Sequence, residues 1–340
     1  MRLIDYENDN GCIDKYAGLI KHVYRSYPLF AERRARQARN MLSNDNPFLH
    51  YGSRRNFLIT ENGKAAAHIS AIIDSRMPSR IGLLGCFDSI KDPKYAKQAI
   101  DAAVGYLSDK GKKTIRGPID FTTWQSFRVS YPEADKPFSL EPFTRGYYRN
   151  FFEKHGFKTA QRNISTVASV SRSGFGEYKK LYNGLKNNNF TFEFANGRKL
   201  LKYLPEVHDL AVKTFAGSWS FVKISYEEFV YDFRNSTEPS SFLLLVRNKD
   251  KKAVAFLSGA SDTDPVFGTR IVLKTVGVLA RYQNMGIARA LFYSAYLKAR
   301  QDKAAGFIFS TMRAGNKKIM GLTGCYHDVY RKYSVYEMDT

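Results

Sequence analysis

The alternation of apolar and polar positions along the chain predicts strands and helices in an order that occurs twice. Apolar runs predict buried strands at 56–60 (NFLIT), 241–246 (SFLLLV) and 270–278 (RIVLKTVGV). Apolar residues at helical spacing predict helices at 95–107 and 286–300. From residue 2, and again from residue 190, the predicted order is strand, two helices, three strands, helix, strand, helix, strand. We interpret this order as two related α/β domains.

Polar segments between these elements set the predicted domain boundaries. Residues 171–189 are rich in Ser, Gly, Lys and Asn, and we assign them to a linker, although 176–185 also fits a helix. The first domain then covers residues 1–170 and the second covers residues 190–340. Within the first domain, residues 120–143 are rich in Pro and aromatic residues, which predicts a long loop.

The bulk composition limits the classes of protein to which the chain can belong. A length of 340 residues with 44% apolar residues suits two folded domains. Cys12, Cys86 and Cys325 are too far apart for a metal site and odd in number for a disulfide framework, so we expect no metal. We find neither a signal peptide nor the roughly 20-residue apolar run of a membrane helix. These features predict a cytoplasmic protein without a membrane span.

The net charge of +21 comes from 53 Lys and Arg against 32 Asp and Glu. Such a surplus favours a polyanionic partner, such as a nucleotide cofactor, an RNA, an acidic acyl carrier protein or an anionic membrane surface. It is equally typical of a solvated basic surface that has no specific partner. The charge alone therefore leaves the partner open.

The stretch from Val276 to Arg289 (VGVLARYQNMGIAR) carries the most informative chemistry. A buried strand leads through a short loop, with Gly286 at its end, into a long helix. Successive backbone N–H groups at a helix N-terminus, together with the helix dipole, attract a pyrophosphate. Gly286 lets the backbone approach the phosphates, and Ala288 lets the helix pack closely on the strand. Arg281 and Arg289 add positive charge for the same anion.

The pattern Gln283-x-x-Gly286-x-Ala288 after a strand resembles motif A of the GNAT (Gcn5-related N-acyltransferase) superfamily. The resemblance covers residues 190–338 and implies a mixed, mostly antiparallel sheet flanked by helices in each domain. It also implies that the motif binds the pyrophosphate of acetyl-CoA or another acyl-CoA, and that the preceding strand pairs with the pantetheine arm. The cofactor-binding residues that it implies are Val276, Val278, Gln283, Asn284, Met285, Gly286, Ile287, Ala288, Arg289 and Asn316.

The reaction of the family is direct attack of an amine on the thioester, which needs an acid for the leaving thiolate and a route for the ammonium proton. The later family motif N-x-x-A-x-x-x-Y-x-x-x-G-F is incomplete here. Asn316 fits its first position, Thr323 falls on the Tyr position, and no Gly-Phe follows. Tyr326 lies nearby and is our candidate acid, with an ordinary core or surface tyrosine as the alternative. We interpret Cys325 as a small buried thiol.

The first domain resembles the family in a degenerate form. Its strand-to-helix junction at residues 87–96 (FDSIKDPKYA) has no Gly and contains two acids that would repel a pyrophosphate. We infer that this domain has lost the cofactor and shapes the acceptor site. Aromatic and cationic residues in two loops are candidates for holding a polar acceptor, with simple packing as the alternative. These candidates are Trp124, Arg128 and Trp219.

Three functions remain open from the sequence. The first is an N-acyltransferase that moves an acyl group, acetyl above all, from acyl-CoA to a small-molecule or peptide amine. The second takes its acyl group from aminoacyl-tRNA or from an acyl carrier protein, which the positive charge suits. The third is a non-catalytic CoA-sensing or nucleic-acid-binding protein, which the missing Tyr and Gly-Phe favour.

Overall fold

The computed structural model describes residues 1–132, 136–170, 175–323 and 329–340. The strands are β1 (Arg2–Tyr6), β2 (Gly52–Glu61), β3 (Lys64–Asp74), β4 (Ile81–Ser89), β5 (Thr114–Gly117), β6 (Val129–Tyr131), β7 (Lys158–Ser169), β8 (Thr191–Asn196), β9 (Ser241–Arg247), β10 (Ala253–Asp264), β11 (Gly268–Val278), β12 (Gly306–Arg313) and β13 (Val329–Asp339). The α-helices are α1 (Asn10–Val23), α2 (Pro28–Met41), α3 (Pro93–Asp109), α4 (Tyr148–Lys154), α5 (Phe175–Asn187), α6 (Leu204–Phe215), α7 (Tyr226–Ser236), α8 (Ile287–Gln301) and α9 (Lys317–Thr323).

The predicted repetition of elements is confirmed. The first half runs from β1 to β7, the second runs from β8 to β13, and α5 lies between them. The loop predicted for residues 120–143 is wrong in one place, because β6 (Val129–Tyr131) forms there and pairs with β13. Its partner lies about 200 positions later in the chain, so no local pattern marks β6 as a strand. Only β4 with β5 and β11 with β12 pair in parallel, and every other described pair of strands is antiparallel.

The described strands form one continuous sheet of 13 strands in the order β1-β2-β3-β4-β5-β13-β7-β12-β11-β10-β9-β8, with β6 beside β13. The last strand of each half therefore pairs with the fifth strand of the other half. Tyr336 of β13 lies opposite Gly117 of β5, and Thr166 of β7 lies opposite Phe309 of β12. The division at residues 170 and 190 stays a prediction, and the two halves are joined by this exchange.

Helix α5 occupies most of the segment that we assigned to a linker, and it packs on α8. Phe175 stacks on Tyr296 with ring centroids 4.2 Å apart, and Tyr178 donates a hydrogen bond to the carbonyl of Leu322. These contacts hold the start of α5 against the C-terminal half of α8 and against α9. The segment therefore contributes to the core of the second half.

Helices cover both faces of the sheet. In the first half, α1 and α2 pack on one face and α3 with α4 on the other. In the second half, α8 and α5 cover one face and α6 the opposite one. Long apolar runs of the central strands are buried on both faces by this arrangement. Among the described residues, no helix is both long and apolar enough to cross a membrane.

Candidate active site

The parallel strands β11 and β12 diverge after a few residues. Their pairing runs from Arg270 opposite Gly306 to Leu273 opposite Phe309, and the described residues beyond are unpaired between the two strands. A β-bulge on the other side of β11 skips Lys274, because Ser258 of β10 pairs with the residue after it. On the side of β11 that faces β12, the backbone of residues 274–278 therefore has no strand partner among the described residues.

A cleft of about 190 Å³ occupies this gap. Its walls come from the two diverging strands, the end of α6, the middle of α8 and the start of α9. The lining residues are Phe215, Leu257, Leu273, Lys274, Thr275, Val276, Phe292, Phe309, Ser310, Thr311, Met312, Arg313, Asn316 and Ile319. Most of the lining is apolar, and a few polar groups stand among these side chains, as in sites for small molecules.

The turn between β11 and α8 presents a row of unused hydrogen-bond donors. A short 3₁₀ segment, Ala280–Tyr282, leads to two residues in the left-handed region, Asn284 at φ 67° and Gly286 at φ 79°. Among the residues that the structure describes, none accepts a hydrogen bond from the N–H groups of residues 284–289. No side chain caps this helix N-terminus. Free N–H groups together with the helix dipole make the turn attractive to an anion.

Gly286 suits this turn for two reasons. Its φ of 79° is strained for other residue types, and a Cβ there would lie 2.8 Å from the Cδ2 of Leu181 in α5. The same helix supplies Glu177, whose carboxylate lies 3.7 Å from the guanidinium of Arg289. Both partners are substantially exposed, so this pair is weak and is free to exchange for an incoming phosphate.

The residues predicted to bind the cofactor are brought together by the structure. Val276 lines the cleft, while the carbonyl of Val278 accepts a hydrogen bond from the Nε2 of Gln283 at 3.3 Å, which braces the turn. Asn316 lines the other wall, and its Oδ1 accepts from the N–H of Ile319. The side chains of Asn284 and Met285 are exposed, that of Ile287 is buried in the core, and Ala288 is half-buried. Their role in cofactor binding stays a prediction.

The three predicted acceptor residues lie between the two halves and outside the described cleft lining. The Nε1 of Trp124 donates to the carbonyl of Val222 at 2.7 Å. The guanidinium of Arg116 lies over the ring of Trp219, with its Cζ 4.8 Å from the ring centroid. Arg128, at φ 97°, donates from Nε to the Oδ1 of Asn163 at 3.1 Å. The two tryptophans thus have packing partners across the interface, and substrate contact stays a prediction for all three. The candidate acid Tyr326, with Cys325, falls outside the described residues.

In the first half, the corresponding gap between β4 and β5 is filled by the protein itself. The buried Asp120 accepts the N–H of Cys86 at 2.6 Å, and burial raises the pKa of Asp120 to about 6. The N–H of Ser89, at the end of β4, donates to the hydroxyl of Tyr148 at 3.0 Å. These contacts leave the strand edge no room for a pantetheine arm, which supports our inference that this half has lost the cofactor.

Asp88 anchors this closed gap as a fully buried carboxylate with several donors. The hydroxyls of Tyr16 and Tyr24 donate to it at 2.9 and 2.8 Å, and Arg34 donates at 3.0 Å. Burial raises the pKa of both tyrosines. The negative charge that we expected to repel a pyrophosphate is therefore present, and it is paired internally.

Two cleft residues were missed by sequence reasoning. Lys274 is the only charged residue between Arg270 and Val278. Its Nζ donates to the carbonyl of Leu140 at 2.9 Å, and burial lowers its pKa to about 7, with the nearby charge of Arg128 acting in the same direction. Ser310 is 3% exposed, and its Oγ has no hydrogen-bond partner among the described residues. The lone lysine in an apolar strand was the available signal, whereas nothing local marks Ser310.

Part of the chain is similar in sequence to a family of acetyltransferases, and its fold is similar to that of several solved structures. Residues 204–323 match the model of the Acetyltransferase (GNAT) family. No curated protein sequence matches the chain. A tandem GNAT protein from the clavulanic acid biosynthesis pathway has the same fold, with a TM-score of 0.61 at 9% identity over 99% of this chain and 98% of its own.

Two further solved structures share the fold over nearly the whole chain. One is a GCN5-related N-acetyltransferase from Anabaena variabilis, and the other is a probable N-acyltransferase from Enterococcus faecalis. Each has a TM-score of 0.60 at 9% identity and covers 99% of this chain and 72% of its own. At this identity the likeness is one of fold.

Proposed function

We propose that this chain is a GNAT-type N-acyltransferase of the tandem-domain form, which moves an acyl group from acyl-CoA to an amine. The match of residues 204–323 to the family model and the tandem fold support this proposal. The acyl group that we propose is acetyl. The second half binds the acyl-CoA, and the first half, whose own gap is closed, shapes the acceptor side.

One observation carries this proposal: the turn at 284–289 offers free N–H groups at the mouth of an open gap between two strands. A diphosphate placed on the turn continues, through its pantetheine arm, along the unpaired edge of residues 274–278. That arm contains amide groups, which add to a free strand edge as another strand does. An adenosine diphosphate moiety with such an arm is the ligand that fits both features.

The proposed chemistry is a direct transfer. The amine nitrogen attacks the thioester carbonyl carbon, the C–N bond forms, and the C–S bond breaks. The ammonium proton is lost, and the leaving thiolate takes up a proton. We propose Tyr326 as the acid that supplies this proton, from its position in the sequence alone. The amine is a small molecule or a peptide.

Thermal melting with two acyl donors tests the binding half of this proposal. Acetyl-CoA at about 100 times its dissociation constant should stabilise the protein by about 2.7 kcal/mol. S-acetylpantetheine lacks the diphosphate and should give a much smaller shift at the same concentration, because the turn has no anion to bind. Equal shifts from both donors, or no shift from either, would contradict the proposed site.

Release of free CoA thiol in a panel of amines tests the transfer half. Turnover with at least one amine, together with a melting shift, supports the N-acyltransferase. A shift without release in any amine favours the CoA-sensing alternative. RNA or acyl carrier protein as a partner rests on the net charge of +21, and the comparisons with known proteins give it no support.

A further inference from the structure

Two cations from different halves of the chain are associated with the cleft, one in its lining and the other behind its wall. Lys274 lines it at the point where β11 and β12 diverge. Arg128 reaches it through Asn163, whose Nδ2 donates to the carbonyl of Thr311 in the cleft wall at 3.2 Å. The charge of Arg128 adds to burial in lowering the pKa of Lys274. Burying two like charges together costs free energy unless an anion joins them.

No carboxylate of the described residues neutralises this pair. Within the part of the chain that the structure describes, neither cation has an acidic group within 4 Å. The acids whose charges raise the pKa of Lys274 are Glu141 and Glu238, and each has another partner. Glu141 accepts from Tyr333 at 2.8 Å, and Glu238 pairs with Arg33 at 2.5 Å.

Donors remain unused around the two cations. The Nη1 and Nη2 of Arg128 donate no hydrogen bond to the described residues, and neither is among the side-chain atoms that are buried without a partner. The last paired residues of the two strands are Leu273 in β11 and Phe309 in β12, so Lys274 and Ser310 are the first residues beyond the pairing. The buried hydroxyl of Ser310 lines the cleft without a partner in the described residues.

The backbone holds Arg128 in a conformation that its residue type rarely adopts. Its φ of 97° lies in the left-handed region, where a side chain other than glycine is strained. Such strain persists only where surrounding structure enforces it, and it is concentrated at functional sites. The guanidinium is held through its Nε by Asn163, and its planar fork suits a two-oxygen anion.

We infer that Arg128, Lys274 and Ser310 form a subsite for a carboxylate carried by one of the two substrates. This inference rests on the proposed acyl transfer. The carboxylate belongs either to the amine acceptor, as in an amino acid, or to the acyl group, as in a dicarboxylic acyl chain. Both sources present the same two oxygens to a bidentate arginine and an ammonium group.

Matched pairs of ligands distinguish the two sources. On the donor side, succinyl-CoA is compared with acetyl-CoA by melting shift. On the acceptor side, the free L-amino acids are compared with their amides, by binding to the CoA-saturated protein and by thiol release with acetyl-CoA. We expect the carboxylate-bearing member of one pair to bind about 10- to 100-fold tighter, as charge-assisted hydrogen bonds do.

Substitutions at the two cations then test the assignment. Arg128→Gln and Lys274→Met should each reduce that preference to about unity, with the two members of each ligand pair compared on the same variant. Arg313→Gln is the matched control, because Arg313 lines the same cleft as an exposed cation. It should keep the preference. Each variant is first melted without ligand, and Lys274→Met serves alone if Arg128→Gln does not fold.

The outcomes separate this subsite from the proposed function. If acetyl-CoA shifts the melting temperature and every pair binds equally, the subsite is wrong and the transferase remains. If the preference exists and survives both substitutions, the carboxylate is held elsewhere. If no acyl-CoA binds, the proposed function fails, and the subsite with it.

Discussion

The two halves of this chain follow the same order of elements, and they differ most at the junction after their fourth strand. In the first half, residues 90–92 join β4 to α3, and the N–H of Ile90 and Lys94 donate to the protein itself. In the second half, residues 279–286 join β11 to α8, and the N–H groups of 284–289 find no acceptor in the described residues. The same fold thus uses several of these donors within the protein in one copy, and leaves those of the other copy without an acceptor in the described residues.

The gap beside each junction differs in the same sense. Leu84 is the first residue of β4 beyond its parallel pairing with β5, and it is fully buried. Lys274 is the first residue of β11 beyond its parallel pairing with β12, and it lines the cleft. Asp120 and Tyr148 cross the first gap with their own hydrogen bonds. A binding site in this fold is therefore distinguished less by its elements than by which backbone donors the protein leaves unpaired.

The largest effect is expected from removing the carboxylate that anchors the closed gap. Asp88→Ala leaves Arg34 buried without its partner and should lower the free energy of unfolding by about 3–5 kcal/mol. Urea denaturation measures this loss. Asp14→Ala, which breaks an exposed pair with Arg39, should cost less than about 1 kcal/mol. The acetyl-CoA shift, relative to the variant's own melting temperature, should persist, and its loss would make the first junction part of the binding site.

The open junction should respond to charge at Gly286. Gly286→Glu strains the turn and repels phosphates, so the stabilisation of about 2.7 kcal/mol by saturating acetyl-CoA should disappear. Gly105→Glu adds the same charge to the exposed face of α3 and should leave the shift unchanged. Thermal melting with and without acetyl-CoA makes both measurements. A shift that survives Gly286→Glu would remove the distinction between the two junctions.

The buried lysine of the open gap should make stability depend on pH. Burial lowers the pKa of Lys274 to about 7, while the unfolded chain keeps its proton to about 10.5. Between these two pH values the unfolded state binds more protons than the folded state, so the free energy of unfolding rises with pH. The cost of burying the charged lysine is therefore fully present below pH 7 and is lost as the pH rises toward 10.5. Arg128, Glu141 and Glu238 are the charged groups that act on it.

Lys274→Met should therefore stabilise the protein more at pH 6.5 than at pH 9, by on the order of 2 kcal/mol. Denaturant titrations at the two pH values give this difference. Lys213→Met, at an exposed position of α6, should show no such change with pH. A pH-independent gain from Lys274→Met would mean that the lysine keeps an ordinary pKa.

The smallest effect is expected at the cap of the first junction. Asp92 accepts the N–H of Lys94 at 3.0 Å and begins α3, so Asp92→Ala should cost about 1 kcal/mol. Lys91→Ala, at the exposed neighbouring position, should stay within about 0.5 kcal/mol of the wild type. Thermal unfolding compares the two variants. If Asp92→Ala costs nothing, its side chain is not what saturates this helix start.

Features that depend on neighbours along the chain could be predicted from the sequence. The capping box at Ser225 and Glu228 is present, because it needs only residues three positions apart. The turn before α8 was predicted from a strand, Gly286 and the following apolar spacing, and the open turn has the predicted place. The missing glycine at residues 87–96 similarly indicated a junction that differs from the turn before α8, and the absence of phosphate binding there stays a prediction.

Features that depend on distant residues could not be predicted. β6 forms only because β13 lies beside it, and the exchange of last strands leaves no local trace in either half. Lys274 has its depressed pKa because loop residues of the first half, Arg128 and Leu140, surround it. Trp124 and Trp219 were marked by residue type alone, and their contacts with Val222 and Arg116 appear only once the halves meet.

By itself the sequence determined the element order, its repetition and the glycine-containing turn before α8, because periodicity, glycine and helix starts act over a few residues. The tertiary structure decided which of the two gaps stays open and which backbone N–H groups have no acceptor among the described residues. It also decided that Arg128 of the first half acts on Lys274 of the second. Those properties depend on what fills the space beside each strand. The groups that fill it come from positions far apart in the chain.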